Sequence, residues 1–427
     1  MKTVALVGLG YVGLPIACAL AREGFPLMAF DIDSDRIKEL SEHHDRTGEC
    51  DPKMLDQPNL IFTGDPQYLK KAEVIIITVP TPVDKANRPD LRNLTSASLT
   101  VGENLSPGSV VVIESTVYPG VTEDICVPIL EKASGLKANV GFKFGYCPER
   151  INPGDKNHTL DKVIKVISGS DEQALGTIAS VYEKICKAGL WKAPNIKTAE
   201  AAKVIENIQR DLNIAFMNEL SILFDKVGVV TRDVLDAAAT KWNFHRYFPG
   251  LVGGHCIGVD PYYLTHLAET VGYHPQLILA GRQINDSMAD HVADQLLLGL
   301  VKTGKVVNQS KVLILGVTFK ENIPDIRNSK VSQVIQHLKK YGVEVHACDP
   351  HVSSEKIRSD FAAIPVAWPL PSTKYQAVVL AVAHETFKKA LSPDRIENLL
   401  ALPGTFMDVK WVYKKEDFSK EVFYESL

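Results

Sequence analysis

Val4-Ala5-Leu6-Val7-Gly8-Leu9-Gly10-Tyr11-Val12-Gly13, near the start of the chain, decides the fold of its first part. Four apolar residues predict a buried strand, and the glycine pattern that follows them predicts a tight turn into a helix. The first glycine allows the turn, the second lets a diphosphate approach the backbone, and the third lets helix and strand pack closely. The stretch therefore predicts a dinucleotide site, with the diphosphate at the helix N-terminus.

An acidic residue closes the next predicted strand, residues 27–30, about 20 residues after the glycines. The Asp31 carboxylate is suited to accept hydrogen bonds from ribose hydroxyls and to repel a 2′-phosphate, which favours NAD over NADP. Arg36 lies close enough in the sequence to keep NADP open. The residues expected to contact the cofactor here are Gly8, Gly10, Tyr11, Val12, Gly13, Asp31 and Arg36.

Apolar β-branched runs alternate with helical patterns along the first part of the chain. Such alternation predicts a parallel sheet covered by helices on both faces, because strands buried on both faces read as continuous apolar runs. The predicted strands are residues 4–7, 27–30, 74–79, 110–113 and 163–167. Two motifs, Val79-Pro80-Thr81-Pro82 and Glu114-Ser115-Thr116, follow strands at the edge where open sheets bind ligands. We expect Pro80, Thr81, Ser115 and Thr116 to line the nicotinamide side.

The pattern changes near Lys197 to a long helical stretch, residues 198–227, without an internal proline or glycine. A short helix is predicted at 231–239, a loop rich in Trp, Phe, Pro and Gly at 241–263, and a further helix at 276–301. A second strand-turn-helix-strand pattern starts at Lys311 and ends at Asp349, without the glycine fingerprint. The fold class is therefore predicted as α/β, with two Rossmann-like doubly wound domains joined by a long central helix and a helical middle domain. The expected boundaries are 1–196, 197–303 and 304–427.

The composition of the chain argues against several classes of binding partner. The 427 residues carry a formal net charge of −4, so no basic field favours nucleic-acid binding. The seven cysteines are scattered and lack the paired spacing of a metal site, which predicts no metal and a reducing compartment. No apolar run approaches the roughly 20 residues of a membrane span, and the N-terminus lacks a signal-peptide pattern. A cytoplasmic protein without membrane or nucleic-acid partners is expected.

Gly253-Gly254-His255-Cys256-Ile257-Gly258-Val259-Asp260 is the stretch where covalent chemistry is expected. A thiol attacks a carbonyl carbon as the thiolate, and flanking glycines let backbone and substrate approach it closely. For an arbitrary glycine-rich loop, burial as a small apolar side chain is the commoner fate of a cysteine. His255 is expected to diverge from its neighbour, as adjacent loop side chains usually do.

Read in order, several motifs resemble the UDP-glucose/GDP-mannose dehydrogenase family over essentially the whole chain. They are Gly8 to Gly13, Glu114-Ser115-Thr116, Pro148-Glu149-Arg150, Lys203 with Asn207, the Cys256 loop, and Phe319-Lys320 with Asp325 and Arg327. The resemblance implies oxidation of a sugar C6 alcohol to a carboxylate, with two NAD consumed per UDP-sugar. A nucleophilic cysteine agrees with an acid product, because a thiol adduct supplies the tetrahedral carbon from which a second hydride leaves.

The resemblance also implies roles for individual residues. Cys256 attacks the C6 aldehyde, Lys203 and Asn207 hold the oxyanion from one helix face, and Asp260 acts with Lys203 in proton transfer. Glu149 activates the hydrolytic water, and Thr116 lies near that water. Expected substrate contacts are Glu149, Arg150, Lys203, Asn207, Arg210, Asn213, Gly253, Arg246 and Lys320, while Arg327 is assigned to the cofactor. Lys241 and Arg282 are further unranked cations.

The sequence constrains the choice of sugar and the oligomeric state less than it constrains the reaction. The runs at 207–215, 241–244 and 254–264 resemble the branch that acts on UDP-N-acetylhexosamines, with UDP-N-acetylglucosamine expected and the mannosamine, galactosamine and glucose analogues open. Pro153 stands where the UDP-glucose branch often has a second glutamate, which suggests a different sugar pocket. A homodimer built on the long helix is implied by the resemblance. A non-catalytic nucleotide-sugar sensor and a two-electron hydroxyacid dehydrogenase are the alternative classes.

Overall fold

The computed structural model describes residues 1–84, 86–150, 158–254 and 257–427. The chain divides into two compact units. The first unit comprises Met1–Glu206 and Tyr262–His274, and the second comprises Asn207–Pro261 and Pro275–Leu427.

The first unit is built on an eight-stranded sheet in the order β3-β2-β1-β4-β5-β6-β7-β8. Its neighbouring strands run parallel, except for the antiparallel pair β6 and β7. Strands β1, β2, β4 and β5 are buried at every position, as their continuous apolar sequences predict. The strands are β1 Val4–Val7, β2 Leu27–Phe30, β3 Leu60–Thr63, β4 Val74–Ile77, β5 Val110–Ile113, β6 Lys143–Tyr146, β7 Lys165–Gly169 and β8 Leu190–Lys192.

The second unit contains a six-stranded, wholly parallel sheet in the order β11-β10-β9-β12-β13-β14. If the strands of each sheet are counted along the chain, the first six of the first unit and all six here share one spatial order. The shared order is third, second, first, fourth, fifth and sixth strand, which is the doubly wound arrangement. The strands are β9 Lys311–Leu315, β10 Glu344–Cys348, β11 Ile364–Pro365, β12 Tyr375–Leu380, β13 Leu400–Asp408 and β14 Val422–Ser426.

Helices connect most of these strands. They are α1 Gly13–Arg22, α2 Ser34–Ser41, α3 Pro52–Leu55, α4 Arg92–Glu103, α5 Val127–Ser134, α6 Glu172–Ile185, α7 Ile196–Val227, α8 Thr231–Ala238, α9 Asp260–Thr270, α10 Gln276–Lys302, α11 Val331–Lys340, α12 Ser354–Phe361, α13 Glu385–Ala390 and α14 Pro393–Leu399. No described helix is long and apolar enough to cross a membrane.

The predicted fold class is confirmed, and most predicted elements agree with the structure within a few residues. One expectation was wrong: the loop predicted at 241–263 contains the start of a helix, because α9 begins at Asp260. Proline is tolerated in the first turn of a helix, so Pro261 does not delay the helix. The domain boundaries at 196 and 303 stay predictions.

Candidate active site

The glycine turn has the geometry that its sequence predicts. Gly8 has a φ of +96°, which a side-chain-bearing residue rarely adopts. A Cβ on Gly13 would lie 1.9 Å from the Gly8 carbonyl oxygen and 2.3 Å from Thr78 Oγ1, so only glycine fits. At Gly10 a Cβ would meet no atom within 4 Å. The second glycine therefore faces open space, as a backbone cradle for a diphosphate requires.

Asp31 lies beside this turn, where its Oδ2 accepts a hydrogen bond of 2.7 Å from the Leu9 backbone N–H. Arg36 is 2 % exposed, and its guanidinium is bound to the Leu9 carbonyl oxygen at 3.0 Å and to Asp45 at 2.7 Å. These contacts tie Arg36 to the protein, which favours NAD over NADP. The turn, the carboxylate and the start of α1 together fit NAD. Direct contacts of Tyr11, Val12 and Arg36 with the cofactor stay predictions.

Hydrogen bonds join the two motifs at the edge of the first sheet. Thr81 Oγ1 donates to the Thr116 carbonyl oxygen at 2.7 Å, and Ser115 Oγ donates to the Val79 carbonyl oxygen at 2.7 Å. The Tyr263 hydroxyl donates to the Thr81 carbonyl oxygen. The predicted wall of Pro80, Thr81, Ser115 and Thr116 is thus one connected structure. Tyr263 anchors it from α9.

A buried charged cluster lies beside this wall, and no sequence motif indicates it. Lys165, the first residue of β7, contacts a carboxylate oxygen of Glu114 and lies 3.2 Å from Glu149 Oε2. The Tyr182 hydroxyl on α6 donates to Glu114 Oε2 at 2.5 Å. Burial raises the pKa of Glu114 to about 8, against the opposing charge of Lys165. Glu149 was predicted as a catalytic residue; its lysine partner lacks any motif of its own.

Arg150, the residue after Glu149, contacts other groups of the first unit. Its guanidinium lies 2.8 Å from Glu206 and donates to the Ile164 carbonyl oxygen at 2.9 Å. Its backbone N–H donates to Glu149 Oε1 at 2.7 Å. Arg150 therefore helps to fix the Glu149 carboxylate, and its predicted contact with substrate stays a prediction. Pro153 lies outside the described residues.

The long helix α7 carries Lys203 and Asn207 one turn apart, and both side chains are buried. Asn207 Nδ2 donates to Asp260 Oδ2 at 2.5 Å, which joins α7 to the first residue of α9 within the second unit. Asp260 is 2 % exposed. The structure therefore brings together two of the predicted catalytic residues, although they lie 53 positions apart in the sequence.

Further along α7, Arg210 is exposed and Asn213 Nδ2 donates to the Gln209 carbonyl oxygen at 2.7 Å. No contact among the described residues assigns either side chain to a sugar, and both stay predictions. Buried Arg282 on α10 lies 2.6 Å from Asp211, which makes it a link between two helices of the second unit. Arg246 pairs with Asp236 and lies over the Phe248 ring, while Lys241 is exposed.

The glycines before Cys256 pack tightly in the second unit. A Cβ on Gly253 would lie 2.5 Å from the Asn328 carbonyl oxygen, and one on Gly254 would lie 2.6 Å from the Phe319 ring. Asn328 Nδ2 in turn donates to the Gly254 carbonyl oxygen at 2.9 Å. Gly253 and Gly254 therefore pack against the segment that carries Phe319 and Asn328. His255 and Cys256 themselves lie outside the described residues.

A polar pocket opens beside that segment in the second unit. Its lining includes Gly253, Thr318, Lys320, Ser329, Lys330 and Lys410. The three lysines suit a diphosphate, which needs cations, although Lys330 pairs with Asp286 at 2.8 Å and Lys410 lies 3.6 Å from Glu321, which also lines the pocket. Lys320 was predicted; Lys330 and Lys410 were missed, because isolated lysines 80 positions apart give no local signal. Arg327, predicted for the cofactor, pairs with Asp325 at 2.7 Å, so that role stays a prediction.

Comparison with known protein families matches three domains of one family in chain order. Residues 2–186 match the NAD binding domain of the UDP-glucose/GDP-mannose dehydrogenase family. Residues 197–287 match the central domain of that family, and residues 313–415 match its UDP binding domain. The glycine turn and the three lysines of the pocket thus fall in the domains whose ligands they suit.

Full-length relatives agree with these matches. A UDP-N-acetyl-D-glucosamine 6-dehydrogenase of Salmonella typhi is 49% identical over 414 residues, which cover 97% of each chain. An enzyme of the same name from Pseudomonas aeruginosa is 48% identical over 414 residues, also covering 97% of each chain. The solved structure of a UDP-D-ManNAc dehydrogenase from Pyrococcus horikoshii has a TM-score of 0.88 at 30% identity, covering 99% of this chain and 98% of that one.

Proposed function

The chain belongs to the UDP-glucose/GDP-mannose dehydrogenase family and is an NAD-dependent UDP-sugar dehydrogenase, and from that premise we propose that it oxidises UDP-N-acetylglucosamine at C6 to the uronic acid. Its identity is 48–49% with two enzymes named for that sugar, against 30% with the UDP-D-ManNAc dehydrogenase structure. NAD supplies the hydride acceptor. Four electrons leave each sugar, so two NAD are reduced, and the product would serve surface-polysaccharide synthesis.

In the proposed reaction the first hydride leaves C6 of the alcohol and its hydroxyl proton is lost, which gives the aldehyde. The Cys256 thiolate then adds to the aldehyde carbon and forms a C–S bond. A second hydride leaves the resulting tetrahedral carbon, and the adduct becomes a thioester. Water attacks the thioester carbon, the C–S bond breaks with its electron pair on sulfur, and the acid leaves as the carboxylate when its remaining proton passes to solvent. Glu149 accepts a proton from that water, with Thr116 nearby.

The hydrogen bond from Asn207 to Asp260 is the observation that carries this proposal. A donor fixed on a rigid helix does not have to reorganise when charge develops on a reacting oxygen, which is the requirement for oxyanion stabilisation. We assign Asn207 and Lys203 to the oxyanion, and Asp260 to proton transfer with Lys203.

The reaction is tested by counting NADH formed per sugar with purified protein and limiting UDP-sugar. The substrate panel is UDP-glucose, UDP-N-acetylglucosamine, UDP-N-acetylmannosamine and UDP-N-acetylgalactosamine. Two NADH per UDP-N-acetylglucosamine, with the highest kcat/KM of the panel, is the expected result. One NADH with released aldehyde contradicts the four-electron reaction, and a higher kcat/KM for another sugar contradicts the assigned substrate. Nucleotide-sugar binding without NADH formation identifies a sensor instead.

Replacement of the nucleophile tests the covalent route. Cys256→Ser is expected to lower the rate of carboxylate formation by at least about a hundredfold, because a hydroxyl at this position does not form the thioester. Cys126→Ser is the matched control, since Cys126 is buried in the first unit and has no proposed role. It should retain two NADH per sugar. Full activity of Cys256→Ser would refute nucleophilic catalysis by this cysteine.

A further inference from the structure

Glu149 belongs to a cluster of four side chains assembled from four elements of the first unit. Glu114 directly follows β5, Glu149 lies three residues after β6, Lys165 begins β7, and Tyr182 lies on α6. The side chains of Lys165 and Glu114 are 3 % and 0 % exposed, and that of Glu149 is 8 % exposed. Adjacent strands thus deliver one ammonium group to two carboxylates in a site nearly closed to water.

Stability does not account for this arrangement. Removing two carboxylates and one ammonium from water carries a desolvation cost that their attraction only partly repays, and apolar residues of similar size are often at least as stabilising. Burial raises the pKa of Glu114 to about 8, and the neighbouring Glu149 carboxylate adds to the rise. At neutral pH Glu114 therefore keeps its proton, and the positive charge of Lys165 balances Glu149.

The two oxygens of Glu149 have separate partners. Oε1 accepts a hydrogen bond from the Arg150 backbone N–H at 2.7 Å, and Oε2 lies 3.2 Å from Lys165 Nζ. Lys165 is itself held by its contact with Glu114, while the Tyr182 hydroxyl donates to the far oxygen of Glu114. The orientation of the Glu149 carboxylate is thus determined by a chain of contacts that runs back to α6.

We propose that Lys165 is a positioning residue that keeps the Glu149 carboxylate ionised and oriented as the base for thioester hydrolysis. This inference rests on the proposed function. In the step concerned, the water oxygen bonds to the thioester carbon, the C–S bond breaks with its electron pair on sulfur, and the water proton passes to Glu149. A cation 3.2 Å away favours the ionised form of a carboxylate, so Glu149 remains able to accept that proton at lower pH.

None of the other ionisable groups that face the cluster supplies a positive charge, although Glu114 is itself hydrogen-bonded to Glu149. They are Glu114, the thiols of Cys147 and Cys186, and the Tyr182 phenol. Burial raises the pKa of Cys147, raises that of Cys186 to about 12 and raises that of Tyr182 well above its usual value. These three groups are uncharged at neutral pH, and Lys165 is the cation that balances Glu149 within the cluster.

The test is the pH dependence of carboxylate formation in Lys165→Met, together with intact-protein mass spectrometry during turnover. We expect the rate at neutral pH to fall about tenfold or more, the acid limb of the profile to move to higher pH by about one unit or more, and the covalent acyl-enzyme to accumulate. Lys165→Arg, which keeps the positive charge, should have an acid limb close to that of the wild type. Lys143→Met removes a lysine of the same sheet that pairs with Asp171, and it should leave the profile unchanged.

A folded Lys165→Met protein with the wild-type profile and without acyl-enzyme overturns the proposal, as does an equal effect of Lys143→Met. Where Lys165→Met does not fold, Lys165→Gln tests loss of charge with a hydrogen-bond donor retained, under the same criteria. Glu149→Gln distinguishes an error in the proposed role of Glu149 from an error in the proposed role of Lys165. If it fails to accumulate acyl-enzyme, the role of Glu149 itself is wrong; if it accumulates while Lys165→Met does not, only the role of Lys165 is wrong.

Discussion

Two glycines of the turn lack a side chain for different reasons. Gly13 is required by the protein itself, because the Gly8 carbonyl oxygen and Thr78 occupy the space of a Cβ. Gly10 is not required by any such contact, since nothing lies within 4 Å of its Cβ position. We therefore propose that the motif contains one glycine required by the fold and one required by NAD.

Alanine substitutions at these two positions are expected to separate folding from NAD binding. Gly13→Ala should lower the free energy of unfolding by about 1–3 kcal/mol or more, because the new methyl group overpacks against backbone. Gly10→Ala should leave the thermal unfolding midpoint nearly unchanged but weaken NAD binding measured by calorimetry. Gly176→Ala, at an exposed helical glycine with nothing within 4 Å, is the control and should be neutral or stabilising. Equal NAD affinity in Gly10→Ala would contradict the assignment.

At the scale of elements, α7 shows how a helix gains a fixed position within the first unit. Glu200, near its start, accepts hydrogen bonds from the Gly120 N–H at 2.6 Å and from the Thr122 N–H at 2.9 Å. Glu200 is 0 % exposed, and burial raises its pKa. A buried carboxylate that accepts from two backbone N–H groups fixes the helix relative to the chain at Gly120. The periodicity of α7 predicted the helix but not this anchor.

Glu200→Gln is expected to destabilise the first unit by about 1–3 kcal/mol, the cost of leaving a buried donor without an acceptor. The carboxamide keeps one acceptor oxygen, and its NH₂ group would face the second backbone N–H. Denaturant unfolding measures the change. Glu123→Gln is the control on the neighbouring segment, because Glu123 is exposed. If both variants unfold at the same denaturant concentration as the wild type, the anchor contributes nothing measurable.

At the scale of the whole molecule, the two sheets repeat one design with different ligands. In each, a carboxylate at the end of the second strand accepts a backbone N–H from the turn after the first strand, at 2.7 Å for Asp31 with Leu9 and for Asp349 with Val317. Only the first turn carries the glycine pattern. In the second unit, Asp349 also lies 3.0 Å from His384 Nε2. The repeated contact stabilises the turn, and the side chains around it decide the ligand.

The contacts of Asp349 predict that the second unit loses stability in acid. Burial alone would raise the pKa of Asp349, but the hydrogen bond from His384 and those from backbone N–H groups lower it below the usual 3.8. A depressed carboxyl pKa contributes stability that is complete above the unfolded value and is lost as pH falls through the folded value. Asp349→Asn should therefore lower the unfolding temperature by several degrees at pH 7, and the difference from wild type should shrink below about pH 4.

Tryptophan fluorescence suits this measurement, since Trp242, Trp368 and Trp411 lie in the second unit and only Trp191 lies in the first. Asp360→Asn is the matched control, because Asp360 is an exposed aspartate of the same unit. A difference between Asp349→Asn and wild type that stays constant from pH 7 to pH 3 would contradict the assigned titration.

Local patterns in the sequence predicted the two α/β folds and the NAD turn, through continuous apolar strands and a glycine spacing within six residues. The set of catalytic candidates came from the resemblance of ordered motifs to the family, together with the helical period that puts Lys203 and Asn207 on one face. The tertiary structure was needed to join Asn207 to Asp260, to group the three lysines of the polar pocket in the second unit, and to place Lys165 between Glu114 and Glu149. The reason is physical. Strand order brings β5, β6 and β7 side by side, and a contact across neighbouring strands leaves no periodic trace along the chain.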